Sequence, residues 1–360
     1  MMQEEIQGKN FVKKFVFSSI IILIIMMLIM YIVDPFLYYR ETDNLYWLDS
    51  MFVSSGLIKN HNYDTAIIGS SMFQNFKMDW FREKLGYRPV NLTLGGMDVE
   101  ETEMLMENVV REGKATRMVV CFDLISFNIE TSKGRYPTYI YDDNKWNDFK
   151  YLLGYEAWMK FLPLDIAFNV LYQLFPNQMQ EYVSYTDKDV LGNRVEKQKF
   201  GADIVKEGYL DETKTVSKQN TEGMRDRLSN RLDVFIQNCD FEQNSDIEYI
   251  FVMPPYSALY WYNAQQEGYY DILMDFKKEV VNKLSKYNNV RIIDMHAIDG
   301  IADLNHYKDI THYDMILQEQ IVDRIKDETN DLNMENIEES IQKLNSILEQ
   351  FKEENQDWLK

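Results

Sequence analysis

Hydrophobic and polar positions change their rhythm several times along the chain. Residues 15–33 form an uncharged apolar run broken only by Ser18 and Ser19. From residue 64, short apolar runs alternate with segments of helical period. The first run, 65–68, leads into 72–85, which carries Phe73, Phe76, Trp80 and Leu85 on one side and ends at Gly86. A short run at 89–94 follows. The next helix opens on Asp98, with Glu101 three residues on as in a capping box, and stops at Gly113. Residues 118–122 read as a third buried strand. The alternation resumes at 249–253, closed by Pro254-Pro255, then a helix near 269–286, a strand at 290–293, and a helix running from His312 to about residue 326. Strands that are apolar throughout and separated by helices predict an α/β domain over 64–327, with a parallel sheet covered on both faces.

Two stretches depart from that rhythm. Residues 130–246 are expected to form an insertion or cap carrying specificity, with aromatic-rich helical segments at 146–153 and 157–175, a polar loop over 187–220, and an amphipathic helix near 224–238. In the acidic tail, 328–360, Ile337, Ile341, Leu344, Leu348 and Phe351 recur at helical spacing. That helix packs on its own domain, or pairs with another subunit or a membrane partner.

The run at 15–33 is a membrane anchor by length: about 19 residues at ~1.5 Å each span ~28 Å, against a hydrocarbon core of ~30 Å. Lys9, Lys13 and Lys14 precede it and Asp34, Glu41 and Asp43 follow, so residues 1–14 are expected in the cytoplasm and all that follows outside the cell. A cleaved signal peptide is the rival, disfavoured by the length of the run and by the absence of a small-x-small site; a buried core helix is the remaining alternative. Residues 34–63 read as an aromatic-rich connector along the membrane surface. A formal charge of -20 without a basic stripe argues against nucleic acid. Cys121 and Cys239 are isolated, with neither a CxxC motif nor metal-ligand spacing, and no disulfide is expected between them.

Against that background two short motifs stand out. Gly69-Ser70-Ser71 closes the first strand, and Asp309-Ile310-Thr311-His312 opens the last helix of the domain. A serine needs a base to take its proton, and the base needs an acid on its other nitrogen to fix the tautomer. Ser71 is the expected nucleophile over Ser70, because the second residue after a strand-closing glycine sits at the N-terminus of the next helix. A plain turn is the bland explanation of Gly-Ser-Ser. Asp303 and His306 repeat the Asp-x-x-His spacing, but in a loop with no element following; His61 and His296 read as structural. The amides of Ser71 and of Gly95-Gly96, at the end of the second strand, are candidate oxyanion donors. Tyr256, Tyr260, Trp261, Tyr262, Tyr269 and Tyr270 cluster after the fourth sheet strand, either as a platform for sugar rings or as core packing.

Gly69-Ser70-Ser71, Asn91-Leu-Thr-Leu-Gly95-Gly96 and Asp309-x-x-His312, in that order on alternating strands and helices, resemble the SGNH (GDSL-like) hydrolase superfamily. They are similar in particular to its membrane-anchored branch, which includes the DltD protein of teichoic acid D-alanylation and the polysaccharide O-acetylation proteins that work beside MBOAT acyltransferases. The resemblance covers about residues 64–127 and 249–326. It implies a three-layer α/β/α sandwich around a parallel sheet, flavodoxin-like in outline, with the ligand at the carboxyl edge. It also implies Ser71 as nucleophile, Gly96 as oxyanion glycine, and Asp309 and His312 as acid and base. The family's third block, Gly-x-Asn-Asp, is replaced by Asp123-Leu-Ile-Ser126-Phe-Asn128; Asn128 is the candidate substitute, at a different spacing. The expected activity is acyl transfer or ester hydrolysis, acetyl foremost, on a cell-envelope or secreted polysaccharide, with a possible MBOAT-type partner and neither metal nor organic cofactor. Alternatives are a DltD-like role, or a catalytically weak scaffold in a polysaccharide modification or export complex.

Overall fold

The computed structural model describes residues 2–42, 49–129, 135–179, 198–211 and 219–359. Its elements, in chain order, begin with α1 (Met2–Val33), α2 (Ser50–Asn60), β1 (Thr65–Ile68), α3 (Met78–Leu85), β2 (Pro89–Asn91), α4 (Val99–Glu112) and β3 (Arg117–Cys121). The middle of the chain holds α5 (Phe149–Leu152), α6 (Leu162–Leu174), α7 (Pro176–Met179), α8 (Ala202–Leu210) and α9 (Met224–Cys239). Then come β4 (Glu248–Met253), α10 (Ala258–Gln266), α11 (Tyr270–Leu284), β5 (Val290–Asp294), α12 (Met315–Lys326) and α13 (Ile337–Asn355).

The chain forms two compact units. Met1–His61 with Gly134–Asp187 make one, and Asn62–Lys133 with Lys188–Lys360 the other. The stretch 130–246, expected as a single insertion, is therefore shared between them. In the first unit, α1 is the one described helix long and apolar enough to cross a membrane, over Ile6–Val33. Residues just past it are not a loose connector. Asp34 is buried and accepts the backbone amides of Tyr38 and Tyr39 at 3.0 and 2.9 Å and the Tyr151 hydroxyl at 2.8 Å. Burial raises the Asp34 pKa in spite of those bonds. Phe36 stacks on Tyr151 at 4.9 Å and meets Phe161 edge-on at 4.9 Å. The Arg40 guanidinium satisfies the otherwise orphaned carbonyls of Tyr31 and Ile32 at the end of α1. Residues 43–48 of the expected connector lie outside the described residues.

The second unit is a mixed α/β fold on a five-stranded sheet, parallel throughout, in the order β2-β1-β3-β4-β5. β1 is buried along its whole length, and β3 and β4 at all but their first residue, which is why their sequences lack polar alternation. Pairings Ile68 with Val120 and Cys121 with Val252 bring the carboxyl ends of the central strands level. Winding reverses between β1 and β3, where open parallel sheets take ligands. Phe122, Phe235 and Phe251 interlock at 5.1 to 5.8 Å. Burying each such ring stabilises the fold by roughly 1.5–3 kcal/mol. α4 carries the expected capping box, Asp98 with Glu101, and ends at Gly113. α13 buries Ile337, Ile341, Leu344, Leu348 and Phe351 within this unit.

Several element boundaries differ from expectation: β2 ends at Asn91 and not at residue 94, and the helix α10 was not expected. Residues 71–75 form turns, and α3 starts only at Met78, because Phe73 packs on Phe76 and Phe76 on Phe81 off the helical path. Part of the expected polar loop at 187–220 is the helix α8; residues 187–197 and 212–218 lie outside the described residues. α12 starts at Met315, not at His312, because the Asp314 side chain takes the amides of Ile316 and Leu317 and so caps the helix there.

Candidate active site

β1 ends at Ile68, and the chain bends at Ser70, just past Gly69. A β-carbon added at Gly69 would lie 2.5 Å from that of Cys121 on β3, so the strands approach too closely for any side chain. The Cys121 thiol is buried, hydrogen-bonds Ser70, and is pushed to higher pKa by burial, so it is a poor nucleophile. Ser70 is thus tied to the sheet, and its hydroxyl also accepts the Met72 amide at 3.4 Å. Ser71 is the serine left facing outward, and its Oγ lies 2.8 Å from Nε2 of His312. No helix begins at Ser71, so the expected dipole at that residue is missing.

His312 sits in a loop held at both ends. Tyr307 and Tyr313 pair as an antiparallel bridge, and the Lys308 amide bonds the His312 carbonyl at 3.1 Å. Two residues past β4 fasten this loop to the sheet. The Tyr307 hydroxyl donates to the Pro255 carbonyl at 2.7 Å, and the Ser257 hydroxyl to the Ile310 carbonyl at 2.7 Å. The start of α8 braces the other side, where the Gly201 amide bonds the Tyr307 carbonyl at 2.9 Å.

Within the loop, Asp309 Oδ1 accepts the amides of Thr311 and His312 at 2.9 and 2.8 Å, and Oδ2 lies 2.8 Å from Nδ1 of His312. Burial pushes the Asp309 pKa up, but the bonds from His312 and Thr311 outweigh it and hold the carboxyl well below the usual range. An ionised carboxylate only accepts, so Nδ1 carries the proton. Nε2 is then the basic nitrogen, facing the Ser71 hydroxyl. Ser71, His312 and Asp309 are therefore brought together in a continuous chain of hydrogen bonds. Such an arrangement can deprotonate a serine as it attacks a carbonyl.

The other sequence candidates have different places. Gly96 lies beside this edge: Leu94 bonds the Gly69 carbonyl at 2.9 Å, and Gly96 turns with φ +65°, a conformation that glycine adopts without strain. Asn128 is engaged elsewhere, its oxygen accepting from the Arg227 guanidinium at 2.9 Å and its nitrogen donating to Gln219 at 3.2 Å. His306 braces the cap of α12, with Nδ1 2.9 Å from Asp314. Asp303 accepts from the amide of Asn305, and His61 pairs with Glu41 at 2.7 Å. His296 is buried, its pKa pushed down to about 3 by burial, and packs edge-on against Trp261 at 4.7 Å. The aromatic cluster is buried as well, Tyr256, Tyr260, Trp261, Tyr262, Tyr269 and Tyr270 all lying in the core, most of them on or beside α10. It therefore packs the domain and presents no open ring face.

No protein-family model matches the chain, and no curated protein does.

Sequence reasoning missed the anchoring residues Ser257 and Tyr307, whose roles depend on partners about fifty residues away. It also missed the setting of Asp123, which follows β3, caps the turn Leu124–Asn128, and bonds the Tyr256 hydroxyl. Burial outweighs those bonds and pushes the Asp123 pKa up to about 6. Among the described residues no group of three or more His, Cys, Asp or Glu is placed to hold a metal ion.

Proposed function

We propose that this chain is a membrane-anchored serine acyltransferase or carbohydrate esterase of SGNH type, acting on acyl groups, acetyl foremost, of a cell-envelope or secreted polysaccharide. The hydrogen-bonded series Ser71–His312–Asp309 at the carboxyl edge of a parallel sheet carries this reading. Ser71 attacks the acyl carbon, His312 takes its proton and later returns it to the leaving oxygen, and Asp309 stabilises the imidazolium. The amides of Ser71 and Gly96 receive the oxyanion. Right-handed crossovers through the strand order β2-β1-β3-β4-β5 would place helices on both faces, which supports a three-layer sandwich. α1 anchors the chain with its lysine-flanked end in the cytoplasm and the α/β unit outside. An MBOAT-type membrane protein is the proposed source of the acyl group.

A scaffold role is the second reading, favoured by Asn128, whose side chain is committed to Arg227 and Gln219 and so leaves the third block without an oxyanion asparagine. A DltD-like role in teichoic acid D-alanylation rests on the same triad. Labelling of the full chain by a fluorophosphonate probe separates enzyme from scaffold. Wild type should label and Ser71→Ala should not. Equal labelling of both would discard Ser71, and no labelling of a folded wild type would favour the scaffold.

A further inference from the structure

Helix α6 is built inside out. Its one charged residue, Asp165, is only 1% exposed and lies on the buried stripe with Leu162 and Phe168. Its outward side carries Leu164, Ile166, Val170, Leu171 and Leu174, the last 65% exposed. A helix on the surface of a water-soluble domain shows the opposite arrangement. The hydrocarbon surface extends beyond α6, since Met159 precedes it and Phe175 follows it, both exposed. Tyr155 and Trp146 also lie open, and these are residue types that favour the boundary between water and lipid.

The position of α6 within its unit names the solvent for that face. Phe161, the residue before α6, meets Phe36, three residues beyond the end of α1, at 4.9 Å, and Tyr151 is bonded to Asp34 at 2.8 Å. The apolar helix thus starts where α1 ends. α1 itself leaves its apolar side chains uncovered, with 6% of its most apolar window buried. At 13 residues α6 is ~20 Å long, too short to cross a ~30 Å core.

We propose that α6 lies in the lipid headgroup boundary beside the exit of α1, a second, monotopic membrane contact made by the face Leu164, Ile166, Val170, Leu171 and Leu174. The contact rests on the proposed anchoring by α1. It would hold the first unit against the bilayer at a second point, beside the span itself.

Single cysteines at Leu171, Leu174 and Leu23 of the full chain, each carrying an environment-sensitive dye, test this in phosphatidylcholine vesicles. Cys121 and Cys239 are both buried, so labelling is confined to the introduced thiol. Dyes at Leu171 and Leu174 should be quenched several-fold more strongly by a nitroxide near the headgroup than by one near the acyl-chain end, and shielded from iodide. The Leu23 dye should show the deeper profile. Iodide quenching at Leu171 and Leu174 with lipid quenching at Leu23 would overturn the α6 contact and leave the anchor standing. Loss of lipid quenching at Leu23 as well would overturn the anchor and the contact with it. Shielding of Leu171 from both quenchers would mean that a second copy of the chain covers the face, and would also overturn lipid contact.

Discussion

Asp309 stays ionised because His312 and two backbone amides face it, and that charge selects the His312 tautomer. In Asp309→Asn the backbone bonds to Oδ1 persist, but the amide donates toward Nδ1 and reverses the tautomer. Under the proposed acyl chemistry, kcat on an activated acetyl ester should fall on the order of 10³- to 10⁴-fold, and the fold should lose the part of its stability that the ionised carboxylate contributes. Asp123 behaves in the opposite sense. Burial pushes its carboxyl up from the ordinary 3.8 to about 6, so the folded chain holds the proton more tightly than the unfolded one. The stability this gives is complete below about pH 4 and is lost as pH rises through about 6. Asp123→Asn should therefore stabilise the fold above pH 7, by on the order of 1–2 kcal/mol for a half-buried group, and converge on wild type toward pH 4. A thermal-melt series from pH 4 to 8 checks it; a gap independent of pH would show that Asp123 does not titrate in this window.

Among elements, those that pair within the sheet were the most legible. β1, β3 and β4 were readable to within a residue because strands buried on both faces must be apolar without interruption. α4 was readable because Asp98, Glu101 and Gly113 act locally. α12 was misplaced by three residues because the residues before it form a bonded loop, and the Asp314 side chain caps the helix only at Met315. α8 was lost inside a polar stretch, where a nine-residue helix with a single buried side chain leaves little periodicity. Because the loop that carries His312 hangs on the segment after β4, Ser257→Ala should loosen it. The substitution removes the bond to Ile310 and the cap on α10, costing about 1–2 kcal/mol in urea melts and lowering kcat more than it raises KM. Gly69→Ala should act more severely, since β1 and β3 must separate to admit a methyl group; loss of fluorophosphonate labelling together with a lower Tm is the expected outcome.

At the scale of the molecule, the meeting of Ser71 with His312, 241 positions apart, could be expected because strand order and motif order are linked in parallel sheets. The division into two units was not legible, since Asp34 and Tyr151 meet across 117 positions without any local signal. Nor was the tail's fastening. Lys277, fully buried, bonds Asp294 at 2.6 Å and Ser340 of α13 at 3.2 Å, joining the last helix to the end of β5. Lys277→Met leaves a buried carboxylate unpaired and should cost about 3–5 kcal/mol in denaturant unfolding, with much of the loss recovered in Lys277→Met/Asp294→Asn. The capped end of α1 has a separate mechanical meaning. With Arg40 closing its last carbonyls and Asp34 gathering the chain just beyond, there is no swivel at that point. Under the proposed anchoring, a bilayer of different thickness cannot be accommodated by α1 tilting alone. The mismatch would pass as torque into the folded residues behind it, making the posture of that unit a gauge of membrane thickness.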